Sequence, residues 1–214
     1  MSLRDQLNDM HAKINSNVPE AASAFDTDTD RFVESGNAPK GLKVGDKLPE
    51  FELPDQLGRT IKSTELLEKG ALVISFYRGN WCPYCSLELN ALQQILPEIQ
   101  SLGANLVTIS PQLPDESMST AEKNELTFSV LSDVGNVVAR KLDLVFTLTE
   151  ELRPLYKDFG IDLEKANGDE SFELPVPATF VVDKNGVIQS AFVNADYKQR
   201  MEPAEIINAL KQIG

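Results

Sequence analysis

One stretch constrains the chain more than any other: ALVISFY, Ala71 to Tyr77. It is a continuous apolar run of strand length, bounded by Gly70 and Gly79. Such a run suits a buried strand of a parallel or mixed sheet. It leads directly into RGNWCPYC, and after Cys85 the residues Leu87, Leu89, Leu92, Ile95, Leu96 and Ile99 recur near the helical period until SLG ends the helix. NLVTIS, Asn105 to Ser110, is the next buried strand. Strand, tight turn, helix and parallel strand in that order make a right-handed βαβ unit, so the predicted class is α/β.

The rest of the chain fits around that unit. DESMSTAEKNEL reads as a polar-faced helix, FSVLSD as a strand and VGNVVARKLDL as another helix. TLTEELRPLYKDFG reads as a helix interrupted by Pro154, and EKANGDESF as a polar loop. ATFVVDKNGVIQSAFV places two β-rich runs around Lys184-Asn185-Gly186, a hairpin signal, and EPAEIINALKQI closes the chain as an amphipathic helix. Residues 1–41 read as a helical arm ahead of a domain spanning 42–214. Leu3, Leu7, Met10, Ile14 and Val18 share one helical face, and Pro19 interrupts them. Ala21, Ala22, Ala24 and Phe25 suggest a second, short helix, with DTDTD (Asp26 to Asp30) as a solvated helix start rather than a calcium loop, since Arg31 and Asn37 stand where such a loop needs Gly and Glu. The arm's apolar stripe either packs on its own domain, the preferred expectation, or meets a second subunit.

Totals exclude several functions. A net charge of −13 over 214 residues repels a phosphate backbone and argues against nucleic-acid binding. No run of eighteen apolar residues exists to span a membrane, and the N-terminus lacks a secretory apolar core, so a cytoplasmic location is expected. The single histidine, His11, sits in a segment expected to be peripheral and exposed. Two cysteines and one distant histidine do not make a structural zinc set, which wants four N or S ligands. The pair is therefore expected to do redox chemistry, with no metal or organic cofactor.

Cys82 stands where a buried strand gives way to a helix, and Pro83 fits the first helical turn, where a missing N–H costs little. Free amide groups and the helix dipole favour a thiolate there, and such sites bring a thiol from about 8.5 down to roughly 3.5–7.5. Arg78, four residues upstream, either adds a cation that steadies the thiolate or orients a peroxide, or is a surface arginine. Cys85 lies one turn on, on the same side of the helix. Cys82 is expected to be exposed and nucleophilic, and Cys85 more buried and resolving. Trp81 reads either as a cap over the pair or as a packed aromatic, and Tyr84 as an exposed docking aromatic.

These residues carry a resemblance. VGDKLPEFELPDQLGRTIKSTELL, WCPYC and VPATFVVDKNG resemble the peroxiredoxin-like branch of the thioredoxin-fold superfamily, the alkyl hydroperoxide reductase and thiol-specific antioxidant group, from about Leu42 onward. The resemblance implies a thioredoxin-like fold with a central mixed β-sheet flanked by helices. It implies Pro177 as a cis-proline facing Cys82 and Cys85. Two departures stand out. Gly79 occupies the position where peroxiredoxins typically have Thr, and Pro177 the position of their second arginine; Cys-Pro-Tyr-Cys is instead the form usual in glutaredoxins. The implied function is a thiol-dependent peroxidase acting on hydrogen peroxide or organic hydroperoxides. Its Cys82 sulfenic acid would be resolved by Cys85 and recycled by a thioredoxin-type donor. The alternatives are a thiol–disulfide oxidoreductase using the same pair, or a redox sensor without turnover. The resemblance and the arm's stripe also suggest a homodimer.

Overall fold

The computed structural model describes residues 1–213. The chain opens with α1 (Leu3–Asn17) and α2 (Pro19–Glu34). A short antiparallel pair, β1 (Glu52–Pro54) and β2 (Thr60–Lys62), leads into α3 (Ser63–Lys69). The βαβ unit follows as β3 (Ala71–Phe76), α4 (Pro83–Ser101) and β4 (Ala104–Ser110). Then come α5 (Pro114–Lys123), β5 (Ser129–Ser132), α6 (Val137–Lys141), β6 (Val145–Thr147), α7 (Arg153–Asp158) and α8 (Leu163–Asn167). The chain finishes with β7 (Glu173–Pro175), β8 (Ala178–Val182), β9 (Ile188–Val193) and α9 (Pro203–Ile213).

Five strands form one mixed sheet in the order β5-β4-β3-β8-β9, and β6 pairs with β7 separately. β3 lies in the middle, parallel to β4 and antiparallel to β8, with Ile74 opposite Val107 on one side and Phe180 on the other. A two-residue period sorts this strand's side chains between two cores. Val73 and Tyr77 face the layer of α1, α4 and α9, with Leu89, Leu92 and Ile207. Leu72, Ile74 and Phe76 face the opposite layer, with Phe180, Val138 and Leu142. Because both faces are covered, ALVISFY reads as continuous rather than alternating apolar sequence. No helix among the described residues is long and apolar enough to cross a membrane.

The arm breaks at Pro19 as expected and departs from its sequence reading in the length of α2 and the place of DTDTD. A capping box at Ser2 and Asp5 starts α1. Pro19 then starts a second helix at once, because Pro at the first helical position needs no N–H. That helix is long, and DTDTD lies within its body rather than at its start. Two of its aspartates tie the arm down: Asp26 accepts from Lys198 Nζ (3.0 Å) and Asp28 from Thr149 Oγ1 (2.9 Å). The stripe from Leu3 packs on its own domain, with Leu3 and Leu7 buried in the α4–α9 layer, and is therefore not available to a second copy.

Further corrections fall downstream. EKANGDESF is not all loop, since α8 takes in its first residues, capped by Asp162, whose side chain accepts from the Lys165 N–H. VGNVVARKLDL gives only the short α6, because Asn136 adopts a left-handed φ of 55° immediately before it. No cis peptide occurs among the described residues, so the bond before Pro177 is trans. The chain there runs straight from one ladder to the next: the Val176 N–H donates to the Leu144 carbonyl (2.7 Å), and the Pro177 carbonyl accepts from Asn194 (3.4 Å).

Leu7 is 4% exposed, and truncating a buried leucine of this kind costs about 2–5 kcal/mol. Leu7→Ala should lower the urea midpoint of the main unfolding transition accordingly. An unmoved main transition would mean that the arm unfolds separately from the sheet.

Candidate active site

Cys82 is the N-cap of α4. Its N–H donates to the Gly79 carbonyl (3.2 Å), and its own carbonyl accepts from Ser86 (3.2 Å). Pro83 is the first helical residue, and no acidic side chain occupies the first turn. An N-cap is ordinarily a Ser, Thr, Asp or Asn whose oxygen faces the free amides; here a sulfur holds the position.

Both cysteines are buried and neither is disulfide-bonded. Cys82 is 1% exposed, which corrects the expectation of an exposed nucleophile. The reason is the arm. α1 and α2 lie across the helix mouth, and Cys82 forms part of the lining of a cavity of about 400 Å³ bounded by Ile14, Val18, Ala22 and Phe25 of the arm and by Tyr156 and Phe159. Burial pushes the Cys82 thiol up, but the Cys85 thiol hydrogen-bonded to it and the guanidinium groups of Arg78 and Arg200 outweigh this and bring it down to about 6. Cys85 moves the opposite way. Burial, the hydrogen bond to Cys82 and the Cys82 charge push it well above the ordinary thiol range, against the pull of Arg200 and Arg78. One negative charge thus belongs to the pair, and it rests on Cys82.

Arg78 is 4% exposed, so the surface reading of this residue does not hold. Its guanidinium donates to the Tyr156 hydroxyl and stacks over Tyr197 at 4.2 Å and Trp81 at 5.0 Å. Its charge is favoured by the cysteine pair, and it forms no ion pair with a carboxylate among the described residues. Trp81 lies over Gly79: a Cβ on that glycine would stand 2.3 Å from Trp81 Nε1. The indole therefore leaves no room for a side chain at the position where the family pattern expects threonine. Trp81 Nε1 and Arg78 Nε are both buried without a hydrogen-bond partner.

Tyr84 is not an exposed docking aromatic. It is 3% exposed, packs edge-on against Tyr197 (5.5 Å) and bonds His11 Nδ1 through its hydroxyl (3.2 Å). His11 is consequently not peripheral, and it also lies 3.4 Å from Asp26. Pro83 is on the cavity wall. Pro177 instead lines a smaller adjoining hollow with Arg78, Tyr156 and Tyr197, apart from the cysteines.

Sequence reasoning missed Arg200 altogether. This residue, between β9 and α9, is 5% exposed. It donates to Cys85 Sγ (3.3 Å), to Glu88 (2.5 Å) and to the Tyr197 carbonyl. Glu88, one helical turn beyond Cys85, also accepts from Ser75 (3.0 Å) and Thr179 (3.3 Å). Glu88 carried a weak signal, as an acid among the core-facing positions of an otherwise apolar helix face. Arg200, Tyr156 and Tyr197 carried none.

Comparison with known proteins finds relatives for most of the chain. The model of the AhpC/TSA family matches residues 44–191, more than half the chain, and residues 1–43 lie outside it. Peroxiredoxin Bcp of Escherichia coli K12 is 28% identical over 171 residues, covering 80% of this chain and 97% of the relative. The chloroplastic peroxiredoxin Q of Sedum lineare is 28% identical over 169 residues, covering 78% of each. Among solved structures, peroxidoxin BcpB of Mycobacterium tuberculosis superposes with a TM-score of 0.64 at 22% identity, covering 81% of this chain and 99% of its own. PrxQ of Xylella fastidiosa gives 0.61 at 17%, covering 80% and 94%. At these identities the structural likeness concerns the fold, which is thioredoxin-like as expected.

The thiolate fraction of Cys82 should rise as pH climbs through about 6, and alkylation by iodoacetamide should rise with it. In Arg78→Met the midpoint should move upward, toward the free-thiol value of about 8.5. A wild-type midpoint already at that value would remove the electrostatic account.

Proposed function

The chain belongs to the AhpC/TSA family, and on that premise we propose that it is a thiol-dependent peroxidase with Cys82 as nucleophile and Cys85 as resolving thiol. The observation that carries this reading is a buried sulfur with a thiol pKa of about 6 at the wall of a cavity sized for a small molecule. Thiol–disulfide exchange as the primary activity is less favoured, because the matching family model is AhpC/TSA and the similar curated proteins are peroxiredoxins.

The Cys82 thiolate attacks one oxygen of the hydroperoxide. The O–O bond breaks, sulfur becomes a sulfenic acid, and the other oxygen leaves as an alkoxide that takes up a proton. Arg78 is on the cavity wall, and its guanidinium suits the developing negative charge on oxygen. Cys85 then attacks the sulfenic sulfur as a thiolate, forming the disulfide and releasing hydroxide, which is protonated to water. Loss of the Cys82 charge is what readies it. Two of the three influences that held Cys85 protonated come from Cys82, whereas Arg200 stays 3.3 Å from its sulfur. A thioredoxin-type dithiol would restore both thiols by exchange, a step that requires the arm to part from the helix mouth.

Two experiments test this. Cys85→Ser should consume one equivalent of peroxide and leave a dimedone-reactive sulfenic acid on Cys82, whereas a variant that accumulates mixed disulfides with a protein substrate would favour the exchange reading. Arg200→Met should slow disulfide formation in single turnover by about tenfold or more and shift its pH profile upward, with Arg200→Lys restoring part of the rate. An unshifted profile in Arg200→Met would reduce Arg200 to a packing role.

A further inference from the structure

We propose that the N-terminal arm is the specificity element of the site, and that it selects an organic hydroperoxide with a bulky apolar substituent over hydrogen peroxide. The inference rests on the peroxidase reading and extends it to residues outside the family match. Hydrogen peroxide is little larger than a water molecule, whose share of liquid volume is roughly 30 Å³. The cavity beside Cys82 measures about 400 Å³, within the range of small-molecule sites. A hydroperoxyl group must sit beside Cys82 and Arg78. The remaining space is walled largely by Ile14, Val18, Ala22, Phe25, Phe159 and Ile161, and the first four belong to α1, α2 and the residue joining them. These walls offer hydrogen peroxide nothing, but they bury the apolar part of a larger hydroperoxide.

The chamber is built rather than incidental, because the arm is fastened around it. His11 bonds the Tyr84 hydroxyl at 3.2 Å, Asp26 pairs with Lys198 at 3.0 Å, and Asp28 accepts from Thr149 at 2.9 Å. These ties join both arm helices to the catalytic helix and to loops on the far side of the cavity. Val18 and Ala22 lie in the wall they hold in place, and larger side chains there would take up the substrate's space.

The test compares kcat/KM for cumene hydroperoxide and hydrogen peroxide in the full-length protein, in Val18→Phe and in Ala22→Leu. The wild type should favour cumene hydroperoxide, and each variant should cut the ratio of the two values by about tenfold. Because the ratio is internal, a partly unfolded preparation does not move it, and Val18 is the less buried site should Ala22→Leu fail to fold. A second measurement needs no turnover. Trp81, the single tryptophan of the chain, lines the cavity, so 2-phenyl-2-propanol, the alcohol product, should change its fluorescence saturably in the wild type and more weakly in Val18→Phe. A ratio that stays within about twofold across the variants, or no saturable fluorescence change, overturns the proposal. Saturable binding without turnover of either peroxide would instead sink the peroxidase reading and leave the chamber standing.

Discussion

The site depends on a guanidinium that has no carboxylate. Arg78 is buried among three aromatic rings, and a buried charge without a counter-ion is costly. Arg200 and Glu88 nearby are paired with each other at 2.5 Å, while Asp26 on the cavity wall is paired with Lys198. The Cys82–Cys85 pair is the ionisable group that faces both guanidiniums, and their attraction helps to bring the Cys82 thiol down against the opposing effect of burial. The helix N-terminus adds to it but does not account for it alone.

The same attraction sets the order of events. Oxidation of Cys82 to a neutral sulfenic acid removes the negative charge that the two guanidiniums had faced. Their attraction then favours a new anion at the nearest ionisable group, and that group is Cys85, in contact with Arg200. A thiol held protonated while its neighbour is charged becomes the stronger acid once the neighbour is spent. The switch needs no moving part, only two sulfurs one helical turn apart in a shared field. Glu88 offsets one of the two guanidiniums through its pair with Arg200.

Much of this was legible in the sequence, for definable reasons. The ALVISFY strand, the helix after Cys85 and the hairpin at Lys184-Asn185-Gly186 were readable because burial on both faces, helical period and turn chemistry are local patterns. The cysteine pair was readable because its spacing alone places both sulfurs on one helix side. Arg200, Tyr156 and Tyr197 were not, because each lies in or beside irregular chain and reaches the site only through tertiary packing. The arm was half readable. Its stripe gave α1, but nothing local says that α2 continues through five residues of alternating aspartate and threonine. Those aspartates are tolerable in a helix because Asp26 and Asp28 find partners on other elements, and the same partners bring His11 and Phe25 to the cavity.

At Gly79 the departure from the family pattern is tied to Trp81 by direct contact. A threonine at Gly79 would collide with the indole of Trp81, whose Nε1 stands where the Cβ would come within 2.3 Å. With glycine there, the tryptophan packs over Gly79, against Arg78 and Tyr156. Pro177 stands where the family pattern expects a second arginine, and Arg200 supplies a buried guanidinium that contacts Cys85 and also favours the Cys82 thiolate. A charge at the resolving sulfur suits a chain whose two thiols sit in one helical turn, since the anion has to pass between neighbours and needs a cation at each end of its path.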